Sequence, residues 1–227
     1  MSKFIRFGLV LAVKWVSAVF YRFDVRWADG REFRFQDVRL GILLNHTSLY
    51  EPIFLRLVPH KILWRLAADG TFPGADKTMN RPLTGLFFRM LARRPVSITR
   101  KRDETWSDFT DLLDDHSLVI MAPEGRMKRS TGFDLSGKPL TVRGGIVDVL
   151  AQMNTGRMIV LHSGGLHHVQ HPGEWIPRIF KKVKATIESL DISEYKAGFP
   201  AENFKQAVIA DLEARRDRYC QQMAAAT

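Results

Sequence analysis

The chain has 227 residues, of which 45% are hydrophobic, and its formal net charge is +10. This length and apolar content allow a single compact domain, and no internal repeat, low-complexity stretch or long linker indicates a second one. The single cysteine, Cys220, excludes an internal disulfide framework and fits a reducing compartment. The positive charge favours anionic partners, but without a DNA- or RNA-binding signature no nucleic-acid partner is expected.

The chain begins with an apolar segment that basic residues interrupt. Residues 3–21 are predicted to be helical, but the apolar run 7–13 is too short to span a membrane, and a longer span would place Lys14 at its centre. A convincing signal-peptide cleavage site is absent. We therefore predict an interfacial helix over residues 1–22, whose basic side chains reach lipid headgroups: Lys3, Arg6, Lys14 and Arg22. A helix that packs on the core of the domain is the alternative.

The rest of the chain alternates predicted strands and helices. The predicted strands are residues 23–27, 32–35, 40–44, 62–67, 96–99, 118–121, 158–161 and 182–187, and Asp29-Gly30 is typical of a hairpin turn. The predicted helices are residues 52–58, 83–91, 106–114, 145–153 and 201–225. This order predicts an α/β fold: one domain over residues 23–227, with a mixed, mostly parallel sheet flanked by helices.

The most informative motif is NHTSLYEP at residues 45–52, directly after the predicted strand 40–44. His46 and Glu51 would lie about 140° apart on a regular helix and would not face each other there, but they can meet if His46 lies in the turn before a helix and Glu51 in its first turn. Glu51 would then bind one ring nitrogen of His46 and stabilise the imidazolium that forms when the other nitrogen acts as a base. A capping box of Ser48 and Glu51 is the structural alternative, although Pro52 counts against it.

A second motif follows the predicted strand 118–121. Residues 122–126 read APEGR and open a strongly basic loop. Because functional sites of such sheets gather at the carboxyl ends of the strands, His46 and Glu124 are expected at the same edge. A base–acid pair beside a cationic loop suits removal of a proton from a hydroxyl near an anionic group.

Together these blocks resemble the glycerolipid acyltransferase family, the 1-acylglycerol-3-phosphate acyltransferases and their relatives. That family carries N-H-x-x-x-x-D, a Gly and Arg block, F-P-E-G-x-R-S, and a short apolar strand with a proline. The matching residues are Asn45, His46 and Glu51; Gly85 and Arg100-Lys101-Arg102; Pro123-Glu124-Gly125 with Arg126 and Lys128; and Arg143-Gly144-Gly145. The departures are Glu51 in place of Asp, an arginine displaced by one position at Arg126, and no proline in residues 158–162.

The resemblance implies an O-acyltransferase of phospholipid biosynthesis. It would move a fatty acyl group from an acyl-CoA or acyl-carrier-protein thioester to a hydroxyl of a lysophospholipid or related acceptor, without a cofactor or a metal. His46 and Glu51 would be catalytic, and the substrate-binding residues would be Asn45, Arg100, Glu124, Gly125, Arg126, Lys128 and Arg143. The expected partners are the thioester carrier, the lysolipid and an anionic membrane surface, with the enzyme held on the cytoplasmic face of the cell membrane.

Two other function classes stay open. One is a non-catalytic lipid- or phosphate-binding protein on the same fold, in which Glu51 would mark decay of the catalytic pair. The other is a histidine–metal hydrolase, because His167 and His171 are four residues apart and could share a metal on a helix, with His162 and His168 nearby. The glycines and proline within residues 164–173 indicate a loop there, which makes the metal site the less favoured interpretation.

Overall fold

The computed structural model describes residues 1–28, 35–99, 101–114, 116–171 and 173–225. The strands are β1 (Arg22–Trp27), β2 (Val38–Leu44), β3 (Gly70–Ala75), β4 (Arg94–Ile98), β5 (Leu118–Met121), β6 (Arg157–Ser163) and β7 (Lys182–Asp191). In the described residues they form one sheet with the order β1-β7-β6-β2-β5-β3-β4. All neighbouring pairs are parallel except β6 and β7. The prediction of a mixed, mostly parallel sheet is confirmed.

Helices cover both faces of this sheet. They are α1 (Lys3–Phe20), α2 (His60–Asp69), α3 (Asp76–Met79), α4 (Pro82–Leu91), α5 (Glu104–Asp111), α6 (Gly145–Ala151), α7 (Ile192–Ala197) and α8 (Phe204–Ala225), with 3₁₀ helices at Glu51–Leu57 and Ala201–Asn203. Side chains of α5 to α8 pack with the central strands into the largest buried apolar cluster. Side chains of α1, α2, α4 and the first 3₁₀ helix form the apolar clusters on the opposite face. The three-layer arrangement follows from burying one apolar stripe of each helix on a sheet that is apolar on both faces.

One predicted strand is wrong, and one observed strand was not predicted. Residues 62–67 belong to α2, where Ile62, Leu63, Leu66 and Ala67 are buried at helical spacing. The next strand, β3, contains two glycines and a proline, which are weak strand formers, so its sequence did not indicate a strand. Its pairing with β4 and β5 stabilises it. The predicted turn at Asp29-Gly30 and all of the predicted strand 32–35 except Phe35 lie outside the described residues.

Helix α1 packs on the domain with one face and exposes an apolar stripe on the other. Val10 and Ser17 are buried against the domain. The exposed stripe consists of Phe4, Ile5, Trp15, Val16 and Val19, each more than half exposed. In the part of the chain that the structure describes, none of the helices combines the length and apolarity needed to cross a membrane.

The basic side chains of α1 do not all point away from the domain. Arg6 donates through Nε to the carbonyl oxygen of Ala67 at 2.8 Å, near the end of α2. Lys14 donates through Nζ to the carbonyl oxygens of Arg56 and Val58, at 3.1 and 2.7 Å. The prediction that these two side chains reach lipid headgroups is therefore wrong, because they satisfy carbonyl groups left without partners at helix ends.

Candidate active site

The chain turns sharply after β2, at Asn45. This residue has a φ of +61°, a left-handed conformation that asparagine tolerates better than most residues. Its side chain donates to the carbonyl oxygen of Ser163 at the end of β6, at 2.8 Å. The turn points two successive amides, those of Asn45 and His46, at the Glu124 carboxylate, at 3.2 and 2.8 Å. It thereby places the His46 side chain beyond the carboxyl end of the central strands.

His46 and Glu51 form the predicted pair. Glu51 is the first residue of a 3₁₀ helix, and its Oε2 contacts Nδ1 of His46. Its other oxygen, Oε1, accepts from the amides of Thr47 and Ser48 at 2.8 and 3.4 Å. The carboxylate therefore caps the turn, as in the structural alternative, and also orients the imidazole. The side chain of His46 is 17% exposed and that of Glu51 is 8% exposed, so the pair is largely buried but His46 can be reached from the solvent.

The pKa of His46 is raised above the ordinary histidine value. Burial of the ring lowers this pKa, but the charge and hydrogen bond of Glu51, with the charge of Glu124, raise it by more. With Nδ1 bound to Glu51, Nε2 is the ring nitrogen that can face a substrate. The raised pKa makes His46 a stronger base, and the base is neutral and active only above that pKa.

Glu124 lies beneath the turn and joins distant parts of the chain. Its side chain is fully buried, and besides the two amides it accepts from the Arg216 guanidinium of α8 at 3.1 Å. Burial raises the pKa of Glu124, and the hydrogen bonds from His46, Arg216 and Asn45 offset part of that rise. These contacts indicate that Glu124 positions the His46 turn. The expected contact of Glu124 with substrate stays a prediction. Arg216 carried no signal in the sequence, because it is one of several basic residues on a long helix.

The basic loop after β5 is packed against the His46 turn. Gly125 has a φ of +62°, and a Cβ there would lie 3.2 Å from Cδ of Arg143, so glycine allows this approach. Arg143 donates to the carbonyl oxygen of Glu124 at 3.2 Å. The Lys128 amide donates to the carbonyl oxygen of His46 at 2.7 Å. The structure thus brings these predicted residues together, whereas Arg100 lies outside the described residues.

Arg126 forms an ion pair with Asp134, a partner that sequence reasoning missed. Hydrogen bonds from the Ser136 hydroxyl and the Lys138 amide, together with Arg126, hold the pKa of Asp134 well below its usual range. The ion pair fixes the direction of the guanidinium, which lines the large cavity beside His46. A phosphate in that cavity would find a positioned arginine, and Asp134 would compete with it for the same donors.

A cavity of about 690 Å³ begins at this site. Its cationic end contains His46 together with four basic residues: Lys101, Arg102, Arg126 and Arg143. From there it follows the sheet to Val38 and Leu118, which begin β2 and β5, and to Ala92 before β4. The length of β2 makes this distance about 20 Å. Most of the lining side chains along the way are aliphatic or aromatic, so the cavity suits a long apolar group whose polar end stays near His46.

Among the histidines of residues 162–171, the rings of His167 and His171 lie 6.0 Å apart, but the other two bind elsewhere. His162 is buried and its Nε2 contacts Glu188 at 2.9 Å. His167 and His168 bond through Nε2 to the carbonyl oxygens of Lys128 and Lys182, at 2.8 and 2.7 Å. No group of three His, Cys, Asp or Glu side chains in the described part of the chain could hold a metal ion. The hydrolase hypothesis therefore has no assembled site to support it there.

Comparison with known proteins identifies the fold and the family of the chain. The chain is similar to the 1-acyl-sn-glycerophosphate (LPA) acyltransferase PlsC from Thermotoga maritima, whose crystal structure matches with a TM-score of 0.60 and 19% identity, over 95% of this chain and 80% of that one. At this identity the likeness shows a shared fold. No curated protein has a significant match to the chain. The sequence profile of the acyltransferase family matches residues 30–162, which is more than half of the chain. This match confirms the resemblance drawn from the motifs and the expected enzyme class, and the chain belongs to the acyltransferase family.

Proposed function

We propose that the protein transfers a fatty acyl group from a thioester to a hydroxyl of a lysophospholipid such as 1-acylglycerol-3-phosphate. The observation that carries this proposal is the His46–Glu51 pair at the mouth of a long apolar cavity. A phosphate-binding protein would not need an oriented base, and a general hydrolase would not need so long an apolar cavity. The fold shared with an LPA acyltransferase supports the same acceptor class.

In the proposed reaction, Nε2 of His46 accepts the proton of the acceptor hydroxyl. The hydroxyl oxygen forms a bond to the thioester carbonyl carbon, and the electrons of the C=O bond move to its oxygen. When the carbonyl re-forms, the C–S bond breaks, and the leaving sulfur takes the proton from the imidazolium. Glu51 stabilises the imidazolium while it exists and holds the tautomer that leaves Nε2 unprotonated beforehand. The products are an ester and a free thiol.

The cavity and its cationic mouth account for the two substrates. The acyl chain of the donor would lie along the apolar part, which falls in the size range of ligand pockets. The phosphate of the acceptor, or the phosphates of the carrier, would lie against Arg126, Arg143 and Lys101 at the mouth. Arginine provides forked donors that match phosphate geometry. Acyl-CoA and acyl-carrier protein both end in a phosphopantetheine thioester, so the proposal includes both as donors.

The exposed stripe of α1 supports attachment to a membrane surface. Its side chains are apolar and include Phe4 and Trp15, the residue types that favour the headgroup boundary. The protein's net charge of +10 favours an anionic surface, and the single cysteine fits the reducing cytoplasmic side. We propose peripheral or monotopic attachment to the cytoplasmic face of the cell membrane, where the lysolipid resides.

The experiment that tests this function is removal of the base. His46→Ala should lower the rate of thiol release from acyl-CoA, with 1-acylglycerol-3-phosphate as acceptor, by about 10²- to 10⁴-fold. His168→Ala is a matched control, because that exposed histidine bonds to the Lys182 carbonyl away from the pair. Near-normal turnover in a folded His46→Ala variant contradicts the mechanism. Binding of lysolipid without any turnover of either donor by the unaltered protein would favour the non-catalytic alternative.

A further inference from the structure

The connection between β6 and β7 carries a second exposed apolar patch, which we call the 173–180 loop. The side chains of Trp175 and Ile176 are 81% and 83% exposed, and those of Ile179 and Phe180 are 46% and 63% exposed. Large apolar side chains exposed together on a surface loop are costly in water, and they mark a surface that contacts another molecule or a membrane. Neither the catalytic pair nor the cavity uses these side chains.

The loop is held in place by its backbone while these side chains point outward. The Tyr50 hydroxyl donates to the carbonyl oxygen of Trp175 at 2.8 Å, and the Arg178 amide donates to that of Val169 at 2.7 Å. Glu174 and Arg178 form an ion pair within the loop at 2.7 Å. The Glu174 carbonyl also accepts from the side chain of Gln170 at 2.6 Å. The exposure of Trp175 and Ile176 is thus a property of a braced loop.

Phe180 shows that the bracing includes an unfavourable backbone conformation. Its φ is +60°, a left-handed value that is a genuine outlier for a bulky aromatic residue. The conformation is maintained by a hydrogen bond from its amide to the Phe20 carbonyl at 2.7 Å, and the two rings lie 5.8 Å apart. Phe20 ends α1, whose exposed stripe reaches Val16 and Val19 in its last turns. The loop therefore continues the exposed apolar surface of α1.

Basic side chains border this combined surface. Arg22 and Lys181 are exposed on the chain segments that leave α1 and the loop, and the Arg22 amide donates to the Lys181 carbonyl at 3.1 Å. An apolar tip with tryptophan and an adjoining cationic rim matches the acyl boundary and the headgroups of an anionic bilayer. The exposed large apolar side chains of α1 lie near both of its ends, from Phe4 to Val19, and with the loop they spread over an extended surface, which favours a bilayer over a small protein contact.

We propose that the 173–180 loop is a second membrane-inserting element, which acts with α1 to set the orientation of the protein on an anionic bilayer. This inference rests on the proposed function, since it takes α1 to lie at the membrane. The loop also connects to the catalytic motif. Gln170, which braces the loop, accepts a hydrogen bond from the Ser48 hydroxyl at 2.5 Å. Together with Tyr50, this contact places the inserted loop beside the His46 turn, where a lysolipid leaving the bilayer would enter.

The first test measures where the loop lies on a vesicle. In a Cys220→Ser background, Ile176→Cys is labelled with an environment-sensitive fluorophore, and Glu202→Cys on the opposite helical layer is the control. The vesicles contain equal parts of phosphatidylglycerol and phosphatidylcholine, with brominated acyl chains as quencher. A blue shift and quenching at position 176 but not at 202 support insertion. If the label at 176 stays in water while the protein still co-sediments with the vesicles, the loop proposal is overturned. Attachment through α1 is then unaffected.

The second test removes the apolar tip. Trp175→Ser with Ile176→Ser should lower partitioning into the same vesicles about tenfold or more, the change expected when a large apolar side chain is no longer buried. Thiol release with a short-chain, water-soluble acceptor should be unchanged, because these side chains touch neither the pair nor the cavity. Unchanged partitioning overturns the proposal, and so does a loss confined to the affinity for acyl-carrier protein, which would identify a carrier-docking loop. The fluorescence measurement does not depend on turnover. If the protein has no acyltransferase activity, the proposed function fails, but the fluorescence result still decides whether the loop inserts.

Discussion

Replacement of Glu51 by glutamine gives the sharpest test of the catalytic pair. The amide oxygen of the new side chain can still accept from Thr47 and Ser48, whose amides now bind Oε1 of Glu51. Its NH₂ group then donates to Nδ1 of His46, and this contact places the ring proton on Nε2. A protonated Nε2 cannot accept the proton of the acceptor hydroxyl. The variant therefore keeps the turn and holds the wrong tautomer.

The structure also gives the electrostatic part of the effect. The negative charge of Glu51, in contact with Nδ1, favours the imidazolium ion and so raises the pKa of His46. Glu51→Gln removes that charge, while burial of the ring continues to lower the pKa of His46. We expect kcat to fall by about 10²- to 10⁴-fold. The residual activity should rise with pH around a pKa of His46 that is lower than in the unaltered protein, because the imidazole then loses its proton at a lower pH.

The assay is thiol release from acyl-CoA, with kcat/KM measured across pH, since that profile reports the groups of the free enzyme. Glu51→Asp should retain more activity than Glu51→Gln, because it keeps the charge and has the side chain that the family carries at this position. Glu202→Gln, on the surface of the opposite layer, controls for loss of a carboxylate. A Glu51→Gln variant with unaltered kcat/KM and an unshifted profile would refute the reasoning and leave Glu51 as a capping residue.

Three further predictions concern substrate and membrane binding. Arg126→Ala should raise the apparent KM for a phosphate-bearing acceptor about 10- to 100-fold with little change in kcat, as expected for a lost charged hydrogen bond. The control is Arg93→Ala, which removes a surface ion pair with Asp69 and should change neither KM nor kcat. Ala92→Leu, at the far end of the cavity, should lower kcat/KM for long-chain donors about tenfold relative to short-chain donors. An equal loss for both would show that the acyl chain of the donor does not extend to Ala92. Replacement of Phe4, Trp15 and Val19 by serine should lower partitioning into anionic vesicles at least about tenfold, and the fold should persist because these side chains are exposed. Leu112→Ser, at the end of α5, is the control. Unchanged partitioning would show that the stripe is not a membrane contact.

The serine variants test α1 better than its deletion would. The same helix buries Val10 in an apolar cluster with Ile62, Leu63 and Leu66 of α2. Removal of the helix would expose that cluster, so a loss of vesicle binding could follow from unfolding. The sequence presented membrane contact and core packing as alternatives for this segment, and α1 in fact packs on the core with one face while exposing another apolar face.

Features that depend on residues close together in the chain could be predicted before folding was considered. The alternation of apolar segments and breakers predicted most strands and helices, and the five-residue spacing of His46 and Glu51 predicted their contact, because a single turn followed by a helix start brings them together. The same local reasoning failed at β3, where the residues are weak strand formers and only pairing with two neighbours makes a strand.

The contacts that hold the site in place depend on how the folded elements pack against each other. The order of the strands brings Arg216 to Glu124 across 92 positions, and Asn45 to the Ser163 carbonyl across 118. The packing of α1 against the first 3₁₀ helix likewise directs Lys14 to the carbonyl oxygens of Arg56 and Val58. No spacing or motif in the sequence predicts these contacts, because they depend on which elements lie side by side after folding. A residue's chemistry can be inferred from its neighbours in sequence, but its partner across the sheet is set by how the buried apolar surfaces pack together.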